Sequence, residues 1–185
     1  MRIFSFVLFV SMAFYSCINA QSGKKVSFNF QQKEYDYYEY MKVGNPNGLL
    51  VLFDGGNGNA ERLNYESKLP DSAAVHGLLT IAISYTESYL PEEEYVKIKA
   101  CIDNAFARYK IQNKNLYIGG FSNGGSVAIR FTELLVQDST SQILPKAIFA
   151  IDPPLDYIQM YKYCDREIAR DCNIPGVDLG KAEAL

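Results

Sequence analysis

Four short runs of mostly apolar residues punctuate the chain, at 49–53, 78–83, 116–118 and 147–151. Each has the length of a strand and is too short for a globular helix. Runs without a polar face suit strands buried on both sides of a sheet. Ahead of them, apolar and polar residues alternate over 26–30 and again over 35–41, with a polar turn between. That period of two predicts an antiparallel hairpin with one face buried. Asn45-Pro46-Asn47-Gly48 then reads as a turn.

Between the apolar runs the period changes to that of a helix. Pro91 opens a segment with Glu92, Glu93 and Glu94 in its first turn, where carboxylates complement the helix dipole. Tyr95, Ile98, Ile102, Phe106 and Tyr109 follow as its buried stripe, with Cys101 on the same apolar face. The acidic triplet is therefore read as capping, not as a metal site. Val127, Phe131, Leu134 and Leu135 mark a second helix ending near Asp138. A stretch over 61–75 reads as partly helical and interrupted by Pro70, and a last amphipathic stretch runs over 155–170. Strands alternating with helices predict an α/β fold built on a mostly parallel sheet with right-handed crossovers.

Composition narrows the function classes. The 185 residues suit one domain, and 48% hydrophobic with 14% aromatic content can build a sizeable core. A formal net charge of −3 argues against a nucleic-acid partner. Arg2, an apolar stretch over 3–15 and Ala20 before a polar segment form the pattern of a secretory signal peptide. The expectation is cleavage after Ala20 and a secreted or periplasmic protein without a transmembrane span. Lipid attachment at Cys17 is the second choice. Of the four cysteines, Cys164 and Cys172 lie eight apart. Continuous helix would hold their Cα atoms about 12 Å apart, so a disulfide there requires the helix to break.

The candidate chemistry sits in two glycine-rich turns, each directly after an apolar run. Gly120-Phe121-Ser122-Asn123-Gly124 matches G-x-S-x-G. The pattern alone arises by chance in roughly one chain in twenty of this length, so its context decides. Here it follows a strand and opens a helix, the setting in which such a serine projects its hydroxyl above a sheet. Helix N–H groups and the positive dipole end then face any negative charge that develops there. The second turn is Asp54-Gly55-Gly56-Asn57-Gly58-Asn59. Alone it reads as a flexible loop with a helix cap at Asn59. Paired with the first, it is a candidate donor turn for an oxyanion. Asp152 ends the last apolar run, so three candidate positions lie just past strand ends, where ligands of parallel sheets bind.

Over roughly 26–155 these elements resemble the α/β-hydrolase superfamily, and its secreted esterase-like branch in particular. The resemblance implies Ser122 as nucleophile and an oxyanion hole from the N–H of Asn123 and that of Gly55 or Gly56. It implies a small ester or acyl substrate, no metal and no cofactor. Asp54 stands where many lipases and esterases have histidine. The superfamily order is serine, acid, then histidine, whereas the one histidine here, His76, precedes the serine. Asp152 is an acid at an alternative position, or a turn former before two prolines. Residues 155–185 resemble the start of a cap region between the sixth and seventh strands, and the expected acid–histidine part and last strands are missing. The readings open at this point are an incomplete hydrolase, a non-catalytic ligand-binding relative, and an interaction protein using an uncovered sheet edge, with self-association as one outcome.

Overall fold

The computed structural model describes residues 23–40, 44–63 and 67–156. The signal segment, Cys164, Cys172, most of the last amphipathic stretch and most of the cap-like region lie outside them. Among the described residues ten elements follow one another: β1 (Lys24–Phe30), β2 (Lys33–Tyr40), β3 (Gly48–Phe53), a 3-10 turn (Ala60–Arg62), α1 (Leu69–Val75), β4 (Leu78–Ala82), α2 (Glu92–Tyr109), β5 (Leu116–Phe121), α3 (Asn123–Gln137) and β6 (Pro145–Ile151).

The strands form one sheet in the order β1-β2-β4-β3-β5-β6. β1 and β2 pair as the expected antiparallel hairpin, and β2 also runs antiparallel to β4. The pairs β3–β4, β3–β5 and β5–β6 are parallel. β3 is central and buried along its whole length, which is why its sequence carries no polar face. Residues of alternate parity on these strands feed two separate cores. Val51, Phe53, Ile81 and Ile118 pack under α2 and α3 with Ile98, Ala105, Val127 and Phe131. Leu50, Leu52 and Ala82 pack on the opposite face with Ala60, Leu63 and Ala73.

The helix stripes fall largely where their spacing places them. Ile98, Ile102 and Phe106 of α2 are buried, Tyr95 and Tyr109 half-buried. The half-burial leaves both hydroxyls able to bond: Tyr95 to Asp138, and Tyr109 to Glu39 seventy residues away. Cys101 is buried as expected, and burial pushes its thiol up to about 12. An inert, neutral thiol follows.

One expectation on helices is corrected. Pro70 does not interrupt α1 but sits in its first turn, where its missing N–H costs no hydrogen bond. Asn59 caps a helix as expected, here the 3-10 turn, its Oδ1 accepting from the N–H of Glu61. At the other end, 153–156 is irregular. Among the described residues β6 is the outermost strand on this side of the sheet, with Ile148 45% and Ile151 51% exposed on its two faces. Among the described residues no helix is long and apolar enough to cross a membrane.

Candidate active site

The site is assembled where β3 and β5 lie side by side and both end. Their register continues to Phe53 opposite Gly120, so the turns after them start next to each other. Ser122 caps α3 with φ 49° and ψ −126°, a backbone state that side chains strongly disfavour. Its N–H donates to the Ile151 carbonyl at 2.8 Å, and its own carbonyl accepts from the N–H of Gly125 at 2.8 Å. Those bonds hold the sharp reversal from strand to helix.

The glycines flanking the serine are required by contact. A Cβ on Gly120 would lie 2.1 Å from the Gly124 carbonyl oxygen. A Cβ on Gly124 would lie 2.3 Å from the Asp54 carbonyl oxygen and 2.4 Å from that of Phe53. Helix α3 therefore rides directly on the end of β3, which brings the two candidate turns together.

Gly55 abuts the serine: a Cβ there would lie 3.3 Å from the Ser122 Cβ. Gly56 turns away, with φ +60° and its carbonyl accepting from the Asn123 side-chain amide at 3.3 Å. Arg62 borders this turn, its Nε 3.8 Å from a carboxylate oxygen of Asp54, which is 2% exposed. Asp54, directly ahead of the two glycines, is thus a buried acid beside a cation. Ser122 itself is exposed.

The base is the element that does not converge. The Ser122 hydroxyl has no hydrogen-bond partner among the described residues. His76 is exposed at the C-terminal end of α1. The residue after it, Gly77, gives its carbonyl to the N–H of Asn47, just ahead of β3. His76 therefore stands at the amino edge of the sheet and Ser122 at the carboxyl edge, on the order of 20 Å apart for strands of this length. Asp152 follows the residue whose carbonyl binds the Ser122 N–H, has φ 54° and is exposed. Its carboxylate engages no hydrogen bond or ion pair among the described residues.

Nothing in the local sequence pattern marks Tyr85. Its buried hydroxyl donates to the Asp54 carbonyl at 2.8 Å, a bond across 31 positions with no local signal. Nor does the local pattern mark the side chain of Asn123, of which the resemblance uses only the backbone N–H. Among the described residues no group of three His, Cys, Asp or Glu side chains could hold a metal ion.

Solved structures share this architecture. A carboxyl esterase of the mycorrhizal fungus Tuber melanosporum matches with a TM-score of 0.65 at 18% identity, over 90% of this chain and 59% of that one. A carboxylesterase of Lactobacillus plantarum matches at 0.59 and 14% identity, over 86% and 66%. An arylesterase matches at 0.57 and 18% identity, over 86% and 54%. The chain thus spans about three fifths of the length of these proteins. No protein-family model matches the sequence, and no curated protein does. Strand order, the strained serine turn and these neighbours together define an α/β-hydrolase fold.

Proposed function

We propose that the protein is a serine-hydrolase-type protein whose crevice takes the carbonyl of a small ester or acyl substrate, with Ser122 as nucleophile. The observation that carries this reading is the strained Ser122 at the start of α3, set against Gly55 of the second turn. In this reading the N–H groups of Asn123 and Gly55 receive the oxyanion, with Gly56 next in the turn. They are a helix-end donor and a loop donor, the pairing that acyl-transfer sites use. The described residues supply the nucleophile and donor half. Asp152, next after the Ile151 whose carbonyl binds the Ser122 N–H, is the candidate acid of this reading. Fluorophosphonate labelling of Ser122 tests the reading, since the reagent reports a reactive serine directly.

A second reading is favoured by the position of His76 at the opposite edge. Without a base, the same crevice holds a carboxylate or acyl group and does no chemistry. Isothermal titration with short-chain carboxylates distinguishes it: saturable binding lost in Gly55→Val, together with no labelling of Ser122, supports the binding protein.

Export belongs to the same proposal. Cleavage after Ala20 makes Gln21 the first residue of the mature protein, outside the cytoplasm. N-terminal sequencing of exported protein is expected to begin at Gln21. A cytoplasmic chain retaining residues 1–20 overturns this, and a lipidated Cys17 replaces it with an anchored form.

The exposed Ile148 and Ile151 on the terminal strand β6 support self-association of the 185-residue chain. Uncovered apolar strands at sheet edges recruit other strands. Sedimentation is expected to show dimers or larger species that shrink on Ile148→Lys. A monomer at all concentrations removes this part of the proposal.

A further inference from the structure

We propose that Tyr85 is a positioning residue that aims the Gly55 N–H at the substrate oxygen, an inference resting on the hydrolase reading above. The Tyr85 hydroxyl donates to the carbonyl oxygen of Asp54 at 2.8 Å in a buried contact. That carbonyl and the Gly55 N–H belong to one planar, trans peptide unit, so they point in opposite directions. Fixing the oxygen on the Tyr85 side fixes the N–H on the other. The same bond draws electron density toward the oxygen, which makes the N–H a stronger donor.

A fastener is needed here because residue 55 is glycine. With no Cβ, the 54–55 peptide can rotate through conformations closed to other residues. A donor free to turn away stabilises an oxyanion less than one already aimed. Glycine at 55 suits the site for a different reason: a Cβ there would lie 3.1 Å from the Phe121 carbonyl oxygen and 3.3 Å from the Ser122 Cβ, tighter than ordinary contact. The close approach thus creates a freedom that Tyr85 removes. Among the described residues the Gly55 N–H donates to no protein group.

Tyr85 is itself firmly held. It is buried, its ring lies edge-on to Phe53 at 6.2 Å, and its N–H donates to the Gly58 carbonyl at 3.1 Å. Gly58 has φ +66° and packs so closely that a Cβ would lie 2.5 Å from the Tyr85 carbonyl oxygen. Loop and tyrosine therefore move as one body. The Asn123 amide on the Gly56 carbonyl holds the 56–57 peptide further along the same turn.

The test is Tyr85→Phe in the full chain, which keeps the ring and deletes one O–H. Two readouts are taken: the amide resonance of Gly55 in a ¹⁵N–¹H spectrum, and slow hydrolysis of p-nitrophenyl acetate. The Gly55 amide proton is expected to move upfield. The turnover is expected to fall about tenfold with KM changed less than about twofold, as for a misaligned donor. Ser84→Ala is the comparison, because it removes another fastener of the loop, the bond from the Ala60 N–H at 3.1 Å. It is expected to leave both readouts unchanged. An unmoved Gly55 amide in Tyr85→Phe overturns the proposal, as does an equal loss in Ser84→Ala. If wild type shows no turnover above solvent, the hydrolase reading fails, while the Gly55 resonance still decides the role of Tyr85.

Discussion

Gly124→Ala is expected to lower stability by about 3 kcal/mol or more, enough to remove a large part of the margin of a domain this size. Two effects oppose each other. Alanine is the better helix former by about 1 kcal/mol, and Gly124 lies within α3. Against that, the new Cβ would sit 2.3 and 2.4 Å from two carbonyl oxygens of β3 and its following turn. Both obstacles are backbone, so no rotamer change relieves them, and α3 must lift from the strand it rides on. Sterics win because the contact is about 1 Å inside normal approach. Ser122→Gly is expected to act with the opposite sign. It releases a strained backbone costing on the order of 1–3 kcal/mol and adds chain entropy worth about 0.5–1 kcal/mol, for a net gain near 1 kcal/mol. Urea midpoints of the two variants check both. Equal midpoints for Gly124→Ala and wild type would mean that α3 does not press on β3 as described. A lower midpoint for Ser122→Gly would remove the strain argument.

Fluorophosphonate labelling of the 185-residue chain is expected to be slow and confined to Ser122. Loss of one member of a catalytic triad typically costs 10⁴-fold or more, leaving oxyanion and binding effects. With His76 at the far edge of the sheet, the proposed reading puts Ser122 in that condition among the described residues. Labelling over hours, abolished in Ser122→Ala and unchanged in His76→Ala, is the expected result. Hydrolysis of an activated aryl ester should be feeble, and Ser122→Ala should change it less than about threefold, since the N–H donors carry it. A triad enzyme would lose nearly all of its rate. Rapid stoichiometric labelling would show a base within reach of Ser122 and overturn the half-site reading. If that labelling also survived His76→Ala, a partner chain or Asp152 would be the group to test next. Label that ignores Ser122→Ala would remove the nucleophile assignment.

Much of this architecture is written in local pattern. A strand buried on both faces has no polar position to offer, and Gly48–Phe53 shows that in six letters. The hairpin announces itself by a period of two, α2 by its stripe, and the Ser122 turn by two glycines around a serine. Even the remoteness of His76 follows from sequence, because a crossover helix must carry the chain from one sheet edge to the other before the next parallel strand begins. What the pattern could not show is which turn touches which. The bond from Tyr85 to Asp54, the amide of Asn123 on Gly56 and the seat of Gly124 on β3 span 31 to 71 positions. Each depends on strand register and on the depth at which a helix settles, which are properties of the packed sheet. Pro70 is the smaller case of the same kind: a proline ends one helix or starts another with equal ease, and only the placement of α1 on the sheet decided which. Residue identity specified the elements and their chemistry here because helix and strand preferences act over a few neighbours. The site took its shape from contacts between distant segments, and those exist only once the sheet has closed around β3.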